Sequence, residues 1–122
     1  MSEMSSRRQL KGAISYGAIV GQLLKHYREA RGIKQAEVAK ALGLTQSAYS
    51  RLENGDSAMS LTQLRQIARV IEVNPEGILA KAETHAQNLV QRGVKVTEEK
   101  PTNTAAILIG LGILLALLAA IR

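Results

Sequence analysis

The sequence predicts an all-α fold: five short amphipathic helices, then a linker and a single apolar C-terminal helix. Three observations predict it. Apolar residues recur at spacings of three and four from Tyr16 onward, cap and stop residues punctuate that pattern, and no segment sustains the period-two alternation of a half-buried strand. A chain of 122 residues holds one small domain with accessories. Phe and Trp are absent and Tyr occurs three times, so the core must be aliphatic. The formal charge of +6 suggests an anionic partner, either nucleic acid or a lipid headgroup surface. With no cysteine, disulfides, thiol chemistry and a Cys-based zinc site are excluded, and a reducing cytoplasm is compatible. Tyr16, Gly17, Gly21 and Gln22 interrupt the first apolar run, which therefore makes a poor secretion signal.

Residues 1–12 are polar and expected to be flexible. Tyr16, Ile19, Val20, Leu23, Leu24 and Tyr27 form the stripe of a first helix that ends before Gly32. A second helix is predicted over Gln35 to Leu42, with Val38, Ala39 and Leu42 inward and Gly43 stopping it. Thr45 caps a third, which runs to about Glu53 and breaks at Asn54-Gly55. Ser60 and Gln63 stand in capping-box spacing before a fourth, whose face is Leu61, Leu64, Ile67, Ala68 and Ile71. Asn74, Pro75 and Glu76 open a fifth. The helical domain is expected over 13–92, a polar linker containing Pro101 over 93–104, and the apolar helix over 105–121.

The informative stretch is KQAEVAKALGLTQSAYSRLENG, Lys34 to Gly55. Two short helices separated by a tight Gly43-Leu44-Thr45 turn give helix-turn-helix spacing, in which the second helix enters the DNA major groove. Ala39 is small where the helices approach, Gly43 can take positive φ, and Val38, Leu44, Tyr49 and Leu52 can bury beneath the pair. Gln46, Ser47, Ser50 and Arg51 are the outward positions of that second helix. Gln can bond an adenine edge and Arg a guanine edge, each worth roughly 1–3 kcal/mol of base discrimination.

From about Ile19 to Leu79 the chain resembles the five-helix Cro/repressor-type, or XRE-family, DNA-binding domain. The resemblance implies that Gln46, Ser47 and Arg51 face bases, and Ser50, outward beside them, is a further base-contacting candidate. It implies backbone contacts by Gln35, by Asn54 and by the loop after it, with Gln35 also supporting the recognition helix. It further implies a structural ion pair between Arg28 and Glu53. Two positions depart from the family pattern. Lys34 replaces the usual Ser or Thr cap, losing about 1 kcal/mol of capping while gaining a cation that can reach a phosphate. Tyr49 replaces a branched aliphatic residue and brings a hydroxyl that needs a partner.

Ala105 to Ile121 contains ten Leu or Ile, five Ala and two Gly, with no polar side chain. As a helix it spans about 25 Å, near 30 Å with Thr102 to Thr104 as an interfacial turn, against a hydrocarbon core of ~30 Å. The expectation is a single-pass anchor in a bacterial inner membrane, with Arg92, Lys95 and Lys100 and the whole N-terminal domain on the cytoplasmic side. Gly112, Ala116 and Ala120 recur every fourth residue, a stripe suited to close helix packing.

His26 and His85 have no partner at ligand spacing, and no nucleophile–base pair or phosphate-cradling glycine loop appears. No metal, cofactor or enzymatic activity is expected. The functional expectation is a sequence-specific DNA-binding transcriptional regulator: homodimeric, bound to double-stranded operator DNA and to the lipid bilayer, and open to control by a membrane or regulatory protein. Two alternatives stand beside it. One is a membrane-associated adaptor that binds a protein partner, in the manner of the RodZ-like cell-shape proteins. The other is a soluble repressor or antitoxin that oligomerises through the apolar tail.

Overall fold

The computed structural model describes residues 12–121, so the expected flexible segment lies, apart from Gly12, outside the described residues, as does Arg122. The elements in chain order are β1 (Ala13–Ser15), α1 (Tyr16–Ala30), α2 (Gln35–Leu42), α3 (Gln46–Asn54), α4 (Leu61–Val70), α5 (Pro75–Gln91), β2 (Lys95–Thr97) and α6 (Thr104–Leu118).

Local chemistry explains where the helices begin. Ser15, Thr45 and Asn103 each accept a hydrogen bond at 3.1 Å from the backbone N–H three residues on. Ser60 and Gln63 close a reciprocal capping box at 3.0 and 2.9 Å. Asn74 accepts from the Glu76 N–H at 2.9 Å, ahead of Pro75 at the first helical position. Lys34 supplies no side-chain cap, and Glu37 instead reaches back to the Lys34 N–H at 3.2 Å. That is the reciprocal half of a capping box; the half a Ser or Thr side chain would supply is missing.

Ile19, Leu23, Leu24, Val38, Tyr49, Ile67, Ile71 and Leu89 are fully enclosed and form an aliphatic core with one phenol in it. Leu61, predicted to face inward, is 79% exposed. It is the first residue of α4, and a helical side chain leans toward the N-terminus, so Leu61 projects past the helix start instead of onto the core.

Two expectations need correction. The fold is mostly helical, as expected of an all-α domain, but the expected linker contains a short strand: β1 and β2 pair in parallel with Ala13 opposite Lys95, Ile14 opposite Val96 and Ser15 opposite Thr97. The Lys95 N–H also donates to the Gly12 carbonyl at 2.9 Å. The 93–104 stretch is therefore tied to the domain through β2 and is not a free linker. Three-residue strands are too short to display alternation, and each finds its partner at the far end of the domain.

The second correction concerns the apolar tail. Among the described residues no helix is long and apolar enough to cross a membrane. At fifteen residues α6 is about 22 Å long, short of a ~30 Å hydrocarbon core. It also lies against β1, α5 and α1. Ala106, Gly110, Leu114 and Leu118, spaced by four, form its buried face. Gly110 is required there, since a Cβ would sit 2.7 Å from the Ala13 carbonyl oxygen. The single-pass inner-membrane placement does not hold, because part of the apolar surface that suggested it is used within the chain. Gly112, Ala116 and Ala120 face outward, as do Leu108, Ile109 and Leu115.

Candidate nucleic-acid interface

The site is built on α3, which is held at both ends and from beneath. Thr45 caps its start, and Gly55 closes its end in the left-handed conformation at φ 76°. The turn from α2 runs through Gly43 at φ 70°, where the Leu44 N–H bonds the Ala39 carbonyl at 2.8 Å. α1 crosses under α3 at Gly21, where a Cβ would lie 2.2 Å from the Glu53 carbonyl oxygen. Only hydrogen fits in that crossing.

Beneath α3 lies a buried polar cluster centred on Glu53, which is 0% exposed. Arg28 grips its carboxylate in a forked pair, Nε to Oε2 at 2.7 Å and Nη2 to Oε1 at 3.1 Å. Tyr49 donates its hydroxyl to Oε2 at 2.6 Å, and Gln35 donates Nε2 to Oε1 at 2.9 Å. Arg28 also donates Nη1 to the Ile33 carbonyl at 2.8 Å, which ties in the loop before α2. Burial pushes the Glu53 carboxyl up, but the hydrogen bonds from Arg28, Tyr49 and Gln35 outweigh it and hold the group below the ordinary carboxylate range. Pairing with Glu53 raises the Arg28 guanidinium against its burial. Burial, reinforced by Glu53, raises the Tyr49 phenol, so it remains a donor. Each acceptor oxygen has two donors, so this buried charge is compensated. Three helices and one loop converge on a single carboxylate, which fixes the orientation of α3.

Gln46, Ser47 and Arg51 are exposed on α3, and Ser50 beside them is half-buried. None of the four makes a side-chain hydrogen bond to another described residue. They form a polar, cationic face in the fork-and-amide chemistry that suits base edges. Lys34 and Asn54 are exposed at the start of α2 and the end of α3. Gln35 is half-buried, with one amide hydrogen committed to Glu53 and a second remaining for an outside acceptor.

Three contacts escaped the sequence reading. Ser15 caps α1, a role hidden by the strand that precedes it. The Tyr49–Glu53 bond joins residues four apart on one helix, and that spacing was a usable signal. Lys100 pairs with Asp56 at 2.7 Å, for which the sequence holds no signal.

Residues 24–78 match the family model described as Helix-turn-helix. The chain is also similar to the ImmF control region 10 kDa protein of Bacillus phage phi105, at 38% identity over 58 residues. That match covers 48% of this chain and spans 64% of the phage protein's length. α2, the Gly43 turn and α3 all lie inside the segment that is similar to the helix-turn-helix family.

Proposed function

We propose that the chain is a sequence-specific DNA-binding transcriptional regulator that reads double-stranded DNA with α3. The observation that carries the reading is a polar face of Gln46, Ser47 and Arg51 presented on a helix pinned from below by the Glu53 cluster. Rigid support suits base readout, because each bidentate contact needs the side chain held in register. Gln35, Lys34 and Asn54 flank that face and contact phosphates. The similarity to a phage control-region protein supports the regulatory half of the proposal. One recognition helix reads few bases, so the protein acts as a symmetric pair on half-sites about 34 Å apart.

Selection of duplexes from a random pool, followed by fluorescence anisotropy on the selected sequence, tests this. Gln46→Ala and Arg51→Ala each weaken binding to the selected duplex by about 1–3 kcal/mol, roughly 5- to 150-fold, and relax preference at the base contacted. Far-UV circular dichroism stays unchanged. Full retention of affinity and preference in both variants would refute α3 as the reading helix.

A further inference from the structure

We propose that Lys100, outside the helix-turn-helix segment, binds a backbone phosphate next to Asn54 and screens Asp56 from the DNA. The inference rests on the DNA-binding reading above. Asp56 lies two residues beyond α3, and its N–H is bonded to the Arg51 carbonyl at 2.8 Å, so it moves with the recognition helix. Left alone, an exposed carboxylate there would stand beside the phosphates that Asn54 is placed to meet, and would repel them. Lys100 places its ammonium 2.7 Å from Asp56 Oδ1, with both side chains still open to solvent at 55% and 37%. An ammonium carries three donors, so one on Asp56 leaves others for a phosphate oxygen.

The backbone holds Lys100 in place from both sides. Before it, β2 is paired to β1, and Thr97 donates its hydroxyl to the Glu99 carbonyl at 2.6 Å. After it, Asn103 caps α6, whose buried face is docked on the domain. Lys100 lines a cleft with Asn54, Asp56, Thr102 and Thr104, whereas Glu98 lines a different groove with Tyr16 and Leu61. Glu98 thus lines a groove away from the end of α3, whereas Lys100 lines the cleft beside it. The docked C-terminal region supplies a cation to the DNA-facing edge.

The test uses the full chain, a labelled mixed-sequence duplex and anisotropy across a salt series, with wild type, Lys100→Gln, Asp56→Asn and the double variant. Lys100→Gln weakens binding at low salt and makes the slope of log K against log salt shallower by about 0.9. The fall in affinity between roughly 50 and 200 mM salt then becomes about 3.5-fold smaller than in wild type. Asp56→Asn binds as tightly as wild type or more tightly, and the double variant recovers part of the Lys100→Gln loss. A purely structural ion pair would behave otherwise, with both single variants weakening binding alike. That outcome, or an unchanged salt slope in Lys100→Gln, overturns the inference while leaving α3 readout standing. Absence of duplex binding by the wild-type chain overturns both readings together.

Discussion

Replacing Arg28 with leucine isolates what holds α3 in place. The change removes both bonds to Glu53, at 2.7 and 3.1 Å, and the 2.8 Å bond to the Ile33 carbonyl. Tyr49 and Gln35 remain, but neither carries charge, and the carboxylate stays 0% exposed. Breaking a buried pair on one side costs about 3–5 kcal/mol at neutral pH, because the surviving ion has no counter-charge. Against a typical stability of about 5–15 kcal/mol, that is about a fifth of the total or more. For a domain of this size the melting temperature falls by about 10–20 °C.

The pH dependence of this loss has a definite sign. In the wild type the folded-state pKa of Glu53 lies below the unfolded value of about 4.3. The contribution of the pair is therefore complete above that value, and is lost as pH falls through the lower, folded one. Without Arg28, burial becomes the dominant influence and raises the carboxyl above its unfolded value. The folded variant then takes up a proton that the unfolded chain does not, and its deficit shrinks as pH falls from 7 toward 5. Urea denaturation followed by far-UV circular dichroism at pH 7, 6 and 5 measures this directly. Arg28→Leu combined with Glu53→Gln recovers at least half of the loss, since no buried charge remains and the amide oxygen still accepts from Tyr49. A deficit under about 1 kcal/mol, or one that stays constant across that pH range, would sink the account of Glu53 as a compensated buried charge.

Two further outcomes follow from the packing. Gly110→Ala forces a Cβ to within 2.7 Å of the Ala13 carbonyl oxygen and destabilises by about 1–3 kcal/mol. Gly112→Ala meets nothing within 4 Å and stabilises by up to about 1 kcal/mol through helix propensity, so paired urea melts with the same sign for both would contradict the docked pose of α6. His85 is buried, its Nδ1 has no hydrogen-bond partner among the described residues, and burial holds the imidazole below its ordinary value of about 6.5. The unfolded chain therefore binds the extra proton. Stability carried by neutral His85 is present above about pH 6.5 and lost as pH falls below it. His85→Leu flattens the stability profile between pH 7.5 and 5.5, and an equally steep profile in that variant would exclude His85 as its source.

Much of the site was legible because its determinants are local. Caps such as Thr45 and Ser60, and the break at Asn54-Gly55, act within one turn of where they are written. The outward placement of Gln46, Ser47 and Arg51 follows from helical periodicity once the inward side of α3 is known. The pairing of Arg28 with Glu53 was implied by resemblance, because nothing in the spacing of those residues requires that they meet. The convergence of Tyr49 and Gln35 on the same carboxylate needed the packed structure.

The C-terminal helix marks the boundary between the two kinds of information. From Ala105 to Ile121 the sequence determines that water is a poor solvent for the segment, and that it forms a helix after Asn103. Hydrophobicity does not say which apolar medium takes it up, since the transfer free energy is nearly the same into lipid as into a protein interior. The tertiary structure decides that question through shape. Gly110 allows backbone-to-backbone approach at Ala13, Leu114 and Leu118 seat on the core, and a parallel strand pair brings 95–97 back to 13–15 so that α6 reaches the domain. Such contacts join residues at opposite ends of the chain. Their energy depends on three-dimensional fit, which no local pattern of residues encodes.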